Sequence, residues 1–153
     1  MKKVKDIMST NIVSVTPDTS FILAASLIVS KKVSGLPIID EHGQCLGIIS
    51  EKDLVDTLFP VYKELIVTAK NQLYTLNLDK IEEQPETVKN LKVKDLINNE
   101  LVFVDQNISI YEAATMLIVY KIRRLPVWDG QNLVGIISQG DVDRAILKDQ
   151  LGL

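Results

Sequence analysis

The sequence has one cysteine, Cys45, and one histidine, His42, so no internal disulfide can form and no His/Cys cluster has metal-ligand spacing. A structural zinc site is not expected, and the chain is compatible with a reducing cytoplasm. Positive charge is not in excess either: the formal net charge is -3 and no basic stripe runs along the chain, which argues against nucleic acid as a partner. Long apolar runs are missing. The longest, Phe21 to Val29 and Ala113 to Val119, fall short of the about 20 residues that span a bilayer, so buried helices are expected and a membrane partner is not. Behind the two lysines of MKKVKDIMST there is no apolar stretch of the kind a secretion signal needs, and this start is expected to be part of the fold. Glycine and proline number 7 and 5; with 46% apolar and 24% charged residues this is the composition of a packed globular protein. A length of 153 residues allows one domain, or two small halves that share a core because neither buries enough surface alone.

What is present is one unit written twice. VKDIMSTNIVSVTPDTSFILAAS, from Val4, aligns without gaps on VKDLINNELVFVDQNISIYEAAT, from Val93. The same offset carries GLPIID, ending at Asp40, onto RLPVWD, ending at Asp129. After a one-residue deletion in the second copy, GIISEKDL from Gly47 meets GIISQGDV from Gly135.

Local signals order each copy as strand, helix, strand, strand, helix. Ile12 to Val15 and Leu101 to Val104 are short β-branched or apolar runs that predict strands. Ser20 opens a nearly unbroken apolar helix closed by Lys31 and Lys32, whose charge suits a helix C-terminus. Ser109 and Glu112 form the S-x-x-E capping box of the equivalent helix. Leu36 to Ile39 and Cys45 to Ile49 predict a hairpin around Asp40 to Gln44, with Gly43 free to take a positive φ. Leu125 to Trp128 and Leu133 to Ile137 repeat it, and a last helix starts near Ser50 and Ser138. Between the copies Val61, Leu65, Ile66 and Leu73 follow helical spacing before a polar stretch with Pro85, predicting an inserted helix and a surface connection. The expected division is a first repeat over residues 1–58, the insert over 59–90 and a second repeat over 91–153.

Taken together, VKDIM, VTPDTS, VSGLPIID and GIISEKDL in the first copy, with VKDL, IRRLPVWD and GIISQGDV in the second, resemble the cystathionine-β-synthase (CBS) domain, and the tandem resembles the paired arrangement called a Bateman module. The resemblance covers nearly the whole chain. It implies an α/β fold of two pseudo-twofold-related repeats, two clefts that hold AMP, ADP, ATP or related adenosyl ligands, and association of two modules as a homodimer. It implies no cofactor besides the nucleotide as regulatory ligand, an unidentified effector protein as a further partner, and a cytoplasmic location.

The pattern G-I-I-S-x-x-D occurs as Gly47, Ser50, Asp53 and as Gly135, Ser138, Asp141. A strand ends and a helix starts at each serine, so amide donors and the positive end of the dipole point at an anion site. The aspartate one turn in can accept two hydrogen bonds from vicinal hydroxyls, as a ribose presents. The family uses these positions as ribose and phosphate contacts; a serine followed three residues later by an acid is also how a helix caps itself without any ligand.

VSGLPIID and IRRLPVWD would supply the opposite wall, where Pro37 and Pro126 hold the chain extended. The resemblance points to Val33, Gly35 and Ile38 as base contacts, with ordinary sheet packing as the alternative. Thr16 matches a position that contacts base or ribose in the family, although a turn threonine needs no ligand; its counterpart is Asp105, which would repel phosphate. Arg123 and Arg124 stand where the first copy has Ser34 and Gly35, and their fork geometry suits phosphate. His42 reads as a turn residue, Cys45 as a small core residue and Trp128 as a packing residue. No nucleophile with a base, no paired acids and no metal set points to an enzyme. The reading is a nucleotide-sensing regulatory module; the alternative is a ligand-free module that acts only in protein association.

Overall fold

The computed structural model describes residues 1–58, 86–97 and 101–153. Of the predicted insert, residues 59–85, with Val61, Leu65, Ile66, Leu73 and Pro85, lie outside them, and Glu86–Asn90 form a 3-10 turn. Ser20 starts α1 (Phe21–Lys31) by accepting the Leu23 amide on its hydroxyl at 3.1 Å. Ser109 and Glu112 start α3 (Ile110–Val119) with the reciprocal bonds of a capping box, 3.1 and 2.8 Å. Neither helix stops at glycine. The chain turns out of α1 at Lys32 and out of α3 at Lys121, both left-handed with φ 53°, a conformation uncommon for a residue with a Cβ.

Each helix is followed by an antiparallel hairpin. β1 (Gly35–Ile39) pairs with β2 (Cys45–Ser50), and β4 (Arg124–Trp128) with β5 (Leu133–Ser138), both with a register shift near the turn. The turns are built on one aspartate each: Asp40 accepts the amides of His42 and Gln44, and Asp129 those of Gln131 and Asn132. Gly43 and Gly130 take the positive φ, 78° and 102°. α2 (Glu51–Leu58) and α4 (Gln139–Leu151) leave directly from the second strand.

The order strand, helix, strand, strand, helix is thus found in both repeats, with a reduced first strand. Of Ile12 to Val15 only Val15 bridges, parallel to Ile38; in the second repeat β3 (Val104–Asp105) pairs parallel with Val127 and Trp128. The earlier residues of both runs turn away from the ladder toward cavities between the repeats.

The segment that leads into each repeat docks on the other one. Val4, fully buried, belongs to the core of Val104, Leu117, Leu125, Val127 and Ile137. Val93, fully buried, belongs to the core of Val15, Phe21, Leu36, Ile38 and Ile49. Backbone bonds fix both exchanges: the Val4 amide to the Ile108 carbonyl at 3.0 Å, and the Val93 amide to the Thr19 carbonyl at 2.8 Å. Ser9 and Ile136 also exchange a pair of bonds, 2.9 and 3.0 Å. Burying each valine is worth about 1.5–3 kcal/mol, so each half draws stability from the other.

Candidate functional site: two clefts between the repeats

The exchange leaves two cavities at the junction, each with walls from both repeats. The first, about 230 Å³, is bounded by Ser138 and Asp141 at the start of α4 and by Val33, Ser34 and Gly35 at the entry to β1. Ser9, Asn11, Ile12 and Val13 close one side and Lys32 another. The second, about 410 Å³, is bounded by Ser50 and Asp53 at the start of α2 and by Ile122, Arg123 and Pro126 around the entry to β4. Ile48, Glu51, Lys52, Leu101, Val102 and Lys121 also line it. Arg124 borders both cavities.

At each helix start the serine and aspartate form a closed cap. The Asp53 Oδ2 accepts from the Ser50 amide at 2.7 Å and the Ser50 hydroxyl at 2.8 Å, while the Asp53 amide donates to the Ser50 hydroxyl at 3.1 Å. For Asp141 and Ser138 the same three bonds measure 2.9, 2.6 and 3.2 Å. The cap uses only one carboxylate oxygen, so capping and hydroxyl binding do not compete for the same atom. Among the described residues the Asp53 Oδ1 accepts no hydrogen bond. The Asp141 Oδ1 accepts one from Arg144 at 2.7 Å. Partial burial pushes the Asp141 carboxyl up, but donors from Ser138 and Arg144 outweigh it and hold its pKa below the usual value.

Arg124 is half-buried between the cavities. Its Nε donates to the Ser34 hydroxyl at 3.0 Å. Burial pulls its pKa down, Glu51 and Asp53 push it up, and Arg123 opposes them. Its path explains a glycine: a Cβ on Gly35 would lie 3.0 Å from the Arg124 Cδ and 3.1 Å from the Ile48 Cγ2.

The structure brings nine of the predicted residues to the cavity walls: Val33, Gly35, Ser138 and Asp141 to the first, Ser50, Asp53, Arg123 and Pro126 to the second, and Arg124 to both. It does not bring Thr16, Pro37 or Ile38 to either. Thr16 is tied into its turn by Thr19, whose hydroxyl accepts its amide at 3.0 Å and lies 3.2 Å from its own hydroxyl. Pro37 and Ile38 are fully buried within the first hairpin, where the whole middle of β1 is covered on both faces. Asp105 likewise holds a turn, accepting the Asn107 amide at 2.7 Å. His42 is exposed beside Glu41, Trp128 packs on Phe103 at 5.8 Å, and burial raises the Cys45 thiol above its ordinary pKa.

Wall residues that the sequence did not assign to the site include Ser9, Asn11, Lys121 and Lys32, the last read only as a helix-closing charge. The two lysines could have been found, since they stand 89 residues apart at the offset that relates the repeats. The glycine of G-I-I-S has a packing role that the motif alone hides: a Cβ on Gly135 would fall 2.5 Å from the Met8 Sδ and 3.0 Å from the Ser9 carbonyl oxygen. Among the described residues no group of three or more His, Cys, Asp or Glu could hold a metal, and no helix is long and apolar enough to cross a membrane.

Comparison with known proteins agrees with the repeat and the fold. The CBS domain family model matches residues 4–59 and again 93–148. MJ1426 of Methanocaldococcus jannaschii is 34% identical over 153 residues, covering 94% of this chain and 90% of that protein. The CBS domain-containing protein YhcV of Bacillus subtilis is 30% identical over 142 residues, covering 93% and 84%. Among solved structures, CBSX2 in complex with AMP is 31% identical with a TM-score of 0.69, covering 98% of this chain and 99% of that one.

Proposed function

This chain belongs to the CBS domain family, and on that premise we propose that it is a regulatory module that senses an adenosine nucleotide, AMP, ADP or ATP, in the two clefts between its repeats. The observation that carries the reading is the make-up of each cleft. A helix start with a Ser/Asp pair comes from one repeat, and a lysine in left-handed conformation, Lys32 or Lys121, comes from the other. Residues held in sparsely populated backbone conformations concentrate at ligand sites. The amides of Ser50, Glu51 and Asp53, and of Ser138, Gln139 and Asp141, are already bonded within the cap or to the Ser34 and Arg123 carbonyls. The pull on anionic oxygens therefore comes from the helix dipole and the full charge of the lysine, and the aspartate oxygen outside the cap can accept a ribose hydroxyl. Apolar Ile12, Val13 and Val33 in one cleft, with Ile48, Val102 and Ile122 in the other, suit the faces of a base. The AMP complex of CBSX2, 31% identical, supports the same ligand class.

In this reading residues 1–58 and 91–153 act as the two sensing units joined by 59–90, the protein works in the cytoplasm, and it catalyses no reaction of its own. Ligand occupancy acts through differential affinity for two states of a dimer or of a complex with an effector protein. The alternative, a module that only assembles with other chains, draws on exposed Val29 and Ile118, equivalent positions that are 77% and 73% exposed.

Thermal unfolding separates the two. A nucleotide at one hundred times its dissociation constant adds about 2.7 kcal/mol, and at this length each kcal/mol moves the midpoint by roughly 2–4 °C, so a rise of about 5–11 °C is expected. The double variant Asp53→Asn, Asp141→Asn keeps the cap and should lose most of that rise. Unchanged midpoints with millimolar AMP, ADP and ATP would leave the assembly module as the better account.

A further inference from the structure

Gly35 and Arg124 are equivalent positions, 89 residues apart, and they meet where the two repeats face each other. A Cβ at Gly35 would touch the Arg124 side chain at 3.0 and 3.2 Å, so only one of the two positions can carry a long side chain. The pair therefore supplies a single guanidinium to a site that is otherwise nearly twofold. That group borders both cavities. Its Nε is tethered to Ser34 on the wall of the first, while the acidic groups acting on it, Glu51 and Asp53, stand on the wall of the second. Its four Nη hydrogens make no hydrogen bond among the described residues, although the side chain is half-buried. The four remaining donors and one charge are thus offered to two anion sites.

We propose that Arg124 couples the two clefts, so that a phosphorylated ligand in one weakens the hold of the other on a second phosphorylated ligand. This rests on the nucleotide reading above and adds regulation to the same site. The first phosphate draws and neutralises the shared charge; the second meets a spent guanidinium and a nearby anion. The second cleft fills first, because it also holds Arg123 and Lys121 where the first has Lys32 alone, and because Arg144 already occupies the Asp141 oxygen that would face a ribose. A ligand without phosphate makes no demand on Arg124 and binds the two clefts independently.

Titration calorimetry on the full chain measures this without assuming equal clefts. For two sites, the two-ligand association constant is the product of the individual constants and the coupling factor. Asp53→Asn and Asp141→Asn, each leaving one cleft, supply the individual constants. For AMP their product should exceed the wild-type two-ligand constant by about five- to tenfold, and for adenosine the two should agree. Repeating the set with Arg124→Gln should bring the AMP ratio to one; where that variant does not fold, the contrast between AMP and adenosine decides alone. An AMP ratio of one in the wild type, or equal ratios for both ligands, overturns the coupling and leaves both sites standing. Failure of AMP and adenosine to bind at all removes the sites, and the coupling with them.

Discussion

Replacing Gly135 by alanine tests whether the segment leading into the first repeat is docked on the second as closely as described. The new Cβ would stand 2.5 Å from the Met8 Sδ, 2.9 Å from its Cγ and 3.0 Å from the Ser9 carbonyl oxygen. The methionine can swing aside. The Ser9 carbonyl cannot without loosening the two bonds that Ser9 exchanges with Ile136. Overpacking of this kind costs about 1–3 kcal/mol, which at this length lowers the midpoint by roughly 2–12 °C. Urea unfolding followed by circular dichroism should show a lower midpoint concentration with an unchanged slope, since the extent of surface exposed on unfolding stays the same. Met8→Ala should be destabilising by itself, yet in combination with Gly135→Ala it removes the worst contact, so the double variant should be more stable than the sum of the two by about 1 kcal/mol. A Gly135→Ala protein within about 0.5 kcal/mol of the wild type, or strict additivity with Met8→Ala, would refute the packing argument.

Association and acid stability supply two further expectations. Sedimentation velocity at micromolar concentration should show a dimer, and Val29→Asp with Ile118→Asp should yield monomers, because these equivalent side chains leave apolar surface in water; a monomeric wild type removes the claim. Asp18, Glu112, Asp129 and Asp141 all have carboxyls held below their ordinary pKa, by lysines, by Ser109, by turn amides, and by Ser138 with Arg144 against burial, respectively. Their contribution is complete above the unfolded value near about 4 and is lost as pH falls through the lower folded values. The midpoint should therefore fall between about pH 5 and 2, less steeply in Asp141→Asn, and identical slopes in the two proteins would contradict the assignment.

Much of the fold was legible because its signals are local. The capping box of Ser109 and Glu112, the aspartate turns at Asp40 and Asp129 and the apolar hairpin strands each depend on residues within a few positions, and each is found where expected. The repeat made them mutually reinforcing, since a signal weak in one copy was read again in the other. The first strands were overestimated for a physical reason. Ile12, Val13, Leu101 and Val102 are apolar because they line cavities, and β-branched composition does not distinguish a cavity wall from a ladder. The resemblance pointed to Thr16 and Ile38; Ile38, three residues beyond Gly35 on the wall, is fully buried, and Thr16 is held in its turn by Thr19.

The exchange between repeats has no local signature at all. VKDIM and VKDL announce where each copy begins, but the same buried valine would serve whether it packed on its own repeat or on the other; only the three-dimensional closure sends Val4 to the second core and Val93 to the first. This closure also determines which residues share a cleft. Had each lead segment stayed at home, Ser9 could not have paired with Ile136 beside Ser138, and the cavity wall it forms would be missing. The same closure brings Gly35 against Arg124. A difference that looks in sequence like drift between two copies, glycine in one and arginine in the other, is in space a single steric fit: the glycine is small because its own counterpart fills the room.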